Sequence, residues 1–317
     1  AAIYGSQAAN GVILITTKRG KQGKPEITIN LNQGFNQPTR VPQMANAAEY
    51  ATMLNEIDQY RGSKPRYTPE QIQKFSDGSD PWSYPNTDWF DEVLKNWSSQ
   101  NYMNASLSGG SEKWKYYLSI GTKYQDGYYK NSATNYKQHD FRSNIDGKIS
   151  KYVKLKVDIA GRIEDKNYPT RGAGNIFRML MRGKPIYPGY WPNGTPGPDL
   201  EYGDNPVVVS TDATGYDRDK RYVFNSNLKL DIDIPWVEGL SLSGSASFDK
   251  DFRFRKRFET PWYLYSWDGV SYDENNEPIL LKGKKGFEDP RLQEWMEDNQ
   301  TILLNGIINY SKNIGVH

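Results

Sequence analysis

Residues 153–163 read VKLKVDIAGRI and alternate between apolar and polar side chains. Most odd positions carry valine, leucine or isoleucine, whereas even positions carry Lys154, Lys156, Asp158 and Arg162. Successive side chains of a β-strand point to opposite faces of its sheet, so one face of this strand is apolar and the other is polar. The stretch therefore predicts a strand that separates an apolar environment from a polar one.

The same alternation recurs in seven other segments, which gives eight predicted strands. These segments are 26–35, 102–109, 114–124, 141–149, 224–234, 240–254 and 302–310. The clearest of them have about 9–11 residues, the length of a tilted transmembrane strand. In the second segment we place Tyr102 on the face of Ala105 and Leu107. The chain is therefore predicted to be all-β.

The connections between these strands alternate between long and short. Residues 109–113, 150–151 and 235–239 form tight turns, whereas 36–101, 166–220 and 259–298 are long. Outer-membrane barrels have short periplasmic turns and longer extracellular loops, so the pattern predicts part of a large antiparallel transmembrane β-barrel. Trp114 and Trp236 lie beside short turns and are predicted to belong to the membrane girdle of aromatic residues. The alternative for each is an aromatic side chain that covers a hairpin face.

Composition excludes several classes of protein. Hydrophobic residues make up 36% of the 317 residues, and no run approaches the roughly 18 apolar residues of a spanning helix. This requirement for a continuous apolar run does not apply to the strands of a membrane barrel, because only alternate residues of such a strand are apolar. The absence of cysteine excludes disulfides, thiolate metal sites and a cysteine nucleophile. A net charge of +2 predicts no binding to nucleic acid.

Two helices are predicted in the first long connection. Asn46 and Glu49 have the spacing of a capping box, and the apolar residues that follow have helical spacing. Thr68 followed by Pro69 predicts the start of a second helix.

Catalytic groups are sparse, and we predict that the chain is not an enzyme. Without cysteine or paired histidines a metal site is not expected, and His139 is interpreted as a solvated loop residue. Asp91 and Glu92 are adjacent on a helix, so their carboxylates point apart instead of converging on one bond. No cofactor is predicted; the acidic loop 273–277 is a weak candidate for structural calcium, because its spacing matches no calcium-binding loop.

Aromatic side chains are concentrated in two of the long loops, YPGYWPN at 187–193 and PWYLYSWD at 261–268. They could stack on sugar rings, or they could bury the loops against each other or against a partner protein. We favour packing or partner contact. The candidate ligand- or partner-binding residues are Tyr187, Tyr190, Trp191, Trp262, Tyr263 and Trp267.

The first 21 residues, AAIYGSQAANGVILITTKRGK, resemble the end of the plug domain in the SusC/RagA-like family of TonB-dependent outer-membrane transporters. AAEYATMLNE at 47–56 and YPNTDWFDEV at 84–93 also resemble this family. Lys18 and Arg19 could pair with carboxylates on the barrel wall, but we favour a solvated linker. The residues that the resemblance assigns to the plug–barrel junction are Tyr4, Gly5, Asn10, Gly11, Lys18 and Arg19.

The resemblance implies two domains. Residues 1–24 would be the C-terminal end of an α+β plug domain with its linker. Residues 25–317 would be the N-terminal portion of a barrel that has about 22 strands in the family. We therefore expect an internal segment of a longer protein, in the outer membrane of a Gram-negative, Bacteroidetes-type bacterium.

The function implied by the resemblance is TonB-dependent import of a nutrient. The expected substrate is an oligosaccharide or glycan fragment, with a peptide as the less favoured choice. The implied partners are a SusD-like lipoprotein lid, TonB with ExbB and ExbD through the N-terminal part of the transporter, and outer-membrane lipid. Two alternatives stay open: a secreted β-sandwich that binds carbohydrate, and a small closed barrel that serves as a membrane anchor or adhesin.

Overall fold

A computed structural model describes residues 16–131 and 134–312. Strands dominate it, and short helices lie in the long connections. The strands are β1 (Gly23–Asn36), β2 (Ser98–Gly110), β3 (Trp114–Asp126), β4 (Asn135–Lys148), β5 (Val153–Tyr168), β6 (Gly215–Asp233), β7 (Leu240–Glu259), β8 (Trp262–Ser266), β9 (Leu281–Lys285) and β10 (Arg291–Tyr310). The helices are α1 (Ala47–Tyr60), α2 (Pro69–Asp77), α3 (Trp89–Val93), α4 (Ala173–Arg182) and α5 (Pro206–Val209).

Eight of the strands form one antiparallel sheet in the order β1-β2-β3-β4-β5-β6-β7-β10. Strands β8 and β9 form a separate hairpin within the connection between β7 and β10. Each predicted strand corresponds to one strand of the large sheet, so the all-β antiparallel fold is confirmed. The alternation of short turns and long connections is also present, and it places all the helices at one end of the sheet.

Several strands are longer than the sequence predicts. Strands β5, β6, β7 and β10 have 16, 19, 20 and 20 residues. Their additional residues lie at the long-connection end, where charged side chains occupy both faces and the apolar alternation is lost. Because the prediction depended on that alternation, it left out the residues of each strand at the long-connection end.

The register separates two faces of the sheet, because residues directly opposite each other share a face. The outer face carries apolar rows such as Ile29, Ala105, Ile120 and Phe141. The inner face carries polar rows such as Asn30, Asn104, Gly121 and Asp140. An exposed apolar outer face and a polar inner face are the arrangement expected of a barrel wall around a polar interior.

One predicted face assignment is wrong. Tyr102 pairs with Asn32 on the inner face, whereas Leu107 pairs with Ile27 on the outer face. The outer-face residue next to Ala105 in this strand is Met103, because side chains alternate strictly along β2.

The predicted girdle residues lie at the short-turn end. Trp114 is the first residue of β3, on the outer face, and its ring lies so close to Gly147 that there is no room for a Cβ at that position. Trp236 lies in the turn between β6 and β7 and is 82% exposed. Their contact with a membrane interface stays a prediction.

The compact apolar cores lie in the long connections and not in the sheet. The larger one, called the loop core here, joins α3, α4, α5 and β8, and its fully buried residues include Val93, Ile176, Leu180 and Val209. A smaller cluster joins α1 to α2. Helix α1 begins with the predicted capping box of Asn46 and Glu49, and α2 begins after Thr68 as predicted, with a second capping box formed by Thr68 and Gln71. In the described part of the chain, no helix is long and apolar enough to cross a membrane.

Candidate functional site

A ladder of ion pairs crosses from β6 to β7 on the inner face, near the long connections. The carboxylate of Asp217 accepts hydrogen bonds from Arg255 at 2.8 and 2.6 Å and from Arg257 at 2.9 and 2.5 Å. Asp219 accepts two from Arg253, at 2.8 and 2.6 Å. Arg221 and Asp251 form the next pair. Bidentate contacts of this kind are strong and fix the side chains in one geometry.

Asp217 and Asp219 lie beyond Phe224 and Tyr222, the last apolar residues before Lys220 on the outer face of β6. Burial by itself would raise the pKa of Asp217, whose side chain is 1% exposed. The hydrogen bonds and charges of Arg255 and Arg257 outweigh burial and hold this pKa below its usual range. The hydrogen bond from Arg253, opposed by burial, likewise lowers the pKa of Asp219.

Acid should destabilise the full-length protein through these two carboxylates. Because their pKa values are lower in the folded than in the unfolded state, their contribution is complete above the unfolded value of about 3.9. It is lost as the pH falls through the folded-state values. Urea unfolding in detergent at pH values from about 5 down to about 2 should show this loss. Asp217→Asn should flatten the profile, and an equally steep profile in that variant would contradict the assignment.

A cavity of about 610 Å³ lies between this ladder and the loop core. Aromatic rings from four parts of the chain form its walls, and guanidinium groups lie among them. The lining includes Tyr129, Tyr136, Tyr168, Phe177, Arg255 and Arg257. Cavities of this size with apolar walls and a few fixed polar groups are typical ligand sites.

Arg171 connects the cavity to the loop core. Its guanidinium pairs with Asp204 at 2.8 Å and with Glu259 at 3.3 Å, and it lies 4.9 Å from the ring centroid of Trp262. The rings of Tyr129 and Phe177, which also line the cavity, are 6.5 Å apart. The cavity therefore presents aromatic faces and hydrogen-bond donors in fixed positions.

The predicted loop aromatics do not line this cavity. Trp191 and Trp262 are buried, and the indole of Trp191 stacks on Trp82 at 5.4 Å and donates to the carbonyl oxygen of Tyr265 at 2.9 Å. Trp267 packs edge-on against Trp191 at 6.3 Å. The remaining three, Tyr187, Tyr190 and Tyr263, are 40%, 39% and 42% exposed.

Sequence reasoning missed the cavity because its residues come from distant segments. A usable signal was present, since Asp217, Asp219 and Arg221 recur every second residue, as do Arg253, Arg255 and Arg257. That spacing puts each set on one face of a strand. The pairing between the two sets depends on the β6–β7 register, which the sequence does not give.

Arg19 ties the segment before β1 to the inner face. Its guanidinium pairs with Asp146 at 2.9 Å and with Asp158 at 2.6 Å. Nearby, Asn144 donates to the carbonyl oxygen of Lys18 at 2.6 Å. For Arg19 the favoured solvated linker is therefore wrong, because the carboxylates of β4 and β5 lie within reach only once the sheet has formed.

Other junction residues, Tyr4, Gly5, Asn10 and Gly11, lie outside the described residues. The domain boundary after residue 24 stays a prediction, and β1 begins at Gly23.

The remaining polar candidates occupy ordinary structural positions. His139 lies within β4 on the outer face, so its assignment to a loop is wrong; the polar run from Asn135 to Asp140 hid the strand. His317 lies outside the described residues. Asp273 accepts hydrogen bonds from the backbone of Asn275 and Glu277 and so closes a turn. No metal-binding group of three or more His, Asp or Glu side chains occurs within the described ranges.

Comparison with known proteins shows which proteins the chain is similar to. No family model matches the chain. Over its whole length it is 27% identical to TonB-dependent receptor P3 of Formosa agariphila, of which it covers 28%. Over 65% of its length it is 27% identical to the TonB-dependent receptor SusC of Bacteroides thetaiotaomicron, of which it covers 20%. The resemblance to SusC/RagA-like TonB-dependent receptors is confirmed. TonB-dependent receptor P26 of Formosa agariphila is 33% identical over 59% of the chain, which covers 18% of that receptor.

The chain thus spans between 18% and 28% of the length of these curated relatives. It also has the fold of the RagAB peptide transporter, with a TM-score of 0.63 at 19% identity over 98% of this chain and 39% of that one. RagAB in its closed-closed state gives a TM-score of 0.62. The eight-stranded sheet is therefore part of a large β-barrel, and these similar proteins are receptors and transporters, not enzymes.

Proposed function

We propose that the full-length protein imports an oligosaccharide or other glycan fragment across the outer membrane of a Gram-negative, Bacteroidetes-type bacterium, by TonB-dependent transport. The observation that carries this proposal is the 610 Å³ cavity on the inner face, below the loop core. Sugar rings have apolar faces that stack on aromatic rings, and their hydroxyl groups accept hydrogen bonds from guanidinium groups. Tyr136, Phe177 and Arg255 offer both kinds of contact.

A SusD-like lipoprotein is the proposed partner at the long-connection end. The loop core gives this end a packed foundation, and several large side chains there are exposed. Tyr202, Val270 and Leu281 are 87%, 75% and 71% exposed. Exposed tyrosine and aliphatic side chains above a rigid base suit a protein interface.

TonB, with ExbB and ExbD, is proposed to supply the energy from the periplasmic side by acting on the plug. The ion pairs of Arg19 with Asp146 and Asp158 would connect the end of the plug to the barrel wall. Movement of the plug would then act directly against β4 and β5.

A short peptide is the second candidate substrate. The guanidinium groups of the cavity favour it, because Arg255 or Arg257 could pair with a terminal carboxylate. The similar fold of the RagAB peptide transporter agrees with this alternative.

Phe177→Ala in the full-length transporter tests the proposed site. Loss of one stacking ring should weaken binding of the glycan substrate by about two- to tenfold. The measurement is isothermal titration of the detergent-solubilised transporter with a panel of neutral oligosaccharides and short peptides. The substrate is first identified on the unmodified transporter.

Tyr263→Ala is the matched control, because Phe177 and Tyr263 are both 42% exposed and only Phe177 lines the cavity. Its affinity should equal that of the unmodified transporter. A loss caused by Tyr263→Ala and not by Phe177→Ala would move the substrate contacts into the outer loops. If the transporter bound short peptides but no oligosaccharides, a peptide would be the substrate instead of a glycan.

A further inference from the structure

On β4 and β6 the outer face changes from apolar to charged at the same level, because Lys137 and Lys220 both lie opposite Asp165 of β5. In β4 the sequence along this face is Phe141, His139, Lys137, and in β6 it is Phe224, Tyr222, Lys220, Arg218. Strand β7 does not share this level, because Lys250 lies opposite Phe224 and is followed on the same face by Phe252 and Phe254. Where an apolar band faces lipid, the first charged residues beyond it lie at the level of the lipid head groups.

The positive charge on this face is compensated on one side of the sheet and not on the other. Lys250 pairs with Asp298 at 2.5 Å, and Lys256 pairs with Glu294 at 3.3 Å, so the region of β7 and β10 is balanced. Toward β4 and β6 the only such pair within residues 134–312 joins Lys220 to Asp165, at 3.6 Å. Lys137 and Arg218 form no ion pair with any residue of the described ranges.

A second cavity, of about 480 Å³, opens beside Arg218. Its guanidinium lies 4.3 Å from the ring centroid of Tyr216, and Phe258 and Asn167 also line the cavity. The one carboxylate in the lining is that of Asp212, which is exposed. A guanidinium, two amides and three aromatic rings around one cavity suit an anionic group attached to a sugar.

We propose that this rim, formed by Lys137, Arg218 and Lys220 with the adjacent cavity, binds the phosphorylated sugar head group of an outer-leaflet glycolipid. Arg218 and Lys220 would contact the phosphate, and the cavity would hold the sugar. Three cations, Lys137, Arg218 and Lys220, face two carboxylates, Asp165 and Asp212. The inference rests on the proposed function, because it requires that the barrel lie in the outer membrane.

The test measures glycolipid binding by the full-length transporter in phosphatidylcholine nanodiscs. The probes are lipid A and the same lipid with its phosphate groups removed. Combining Lys137→Gln, Arg218→Gln and Lys220→Gln should weaken binding of lipid A by at least about tenfold, because each basic residue near a membrane surface contributes about fivefold. The unmodified transporter should bind the dephosphorylated lipid as weakly as this variant binds lipid A.

The matched control removes equal charge from the inner face, through Lys115→Gln, Lys123→Gln and Lys156→Gln. It should bind lipid A like the unmodified transporter. The inference would be overturned if both triple variants bound lipid A equally well, or if the unmodified transporter bound lipid A and its dephosphorylated form equally well. Neither result would contradict the proposed transport function. Absence of the protein from the outer-membrane fraction would instead overturn the proposed function.

Discussion

Leu180→Ala should lower the free energy of unfolding of the loop core by about 2–5 kcal/mol. Leu180 is fully buried in α4, where it belongs to the same cluster as Val93 of α3 and Val209 of α5. Alanine would leave a cavity between helices that come from two different connections. Because these helices have few turns, they depend on tertiary packing more than on their own propensity.

Native-state hydrogen exchange on the full-length transporter measures this effect locally. Amides of α3 and α5 should exchange faster in the variant, whereas those of the sheet should be unchanged. Met181→Ala is the matched control, since Met181 is the next residue of the same helix and is 49% exposed. Its effect should stay within about 0.5 kcal/mol. If both substitutions had the same effect, α4 would not be held by this core.

Asp217→Asn should destabilise the long-connection end of β6 and β7 by about 1–3 kcal/mol. It removes the charge that neutralises Arg255 and Arg257 and leaves two guanidinium groups side by side. The expected cost is smaller than for a fully buried pair, because the arginine side chains are 35% and 29% exposed. Since Arg255 and Arg257 also line the 610 Å³ cavity, their displacement should weaken substrate binding too.

Urea unfolding of the full-length transporter in detergent measures the stability change. Asp249→Asn provides the control. Asp249 lies in β7 on the same inner face of the sheet as Asp217, but it accepts a hydrogen bond from the amide of Asn225, at 2.7 Å, and not from an arginine. That variant should change the free energy of unfolding by no more than about 0.5 kcal/mol. If the two substitutions lowered the free energy of unfolding equally, the ion pairs of Asp217 would contribute no more to stability than any other carboxylate on the inner face.

Strand and helix positions were more predictable from the sequence than the pairs that form between distant residues. Strand existence followed from local alternation, as in 153–163, and the helix starts followed from Asn46 and Thr68. The ends of β6 and β7 could not be predicted from local alternation, because ion pairs between the strands, such as Asp219 with Arg253, take the place of apolar side chains there. Arg19 was misjudged for the same reason, because its two partners lie more than a hundred residues away in sequence.

The sequence by itself determined an all-β chain with one apolar face, one polar face and long connections at one end. Those features depend on residues close together in the chain, whose side-chain directions are set by the geometry of a single strand. Only the tertiary structure decided which aromatic rings are buried, which arginines meet Asp217, and where the two cavities lie. These outcomes depend on strand register and on contacts between distant connections, and no local pattern encodes them.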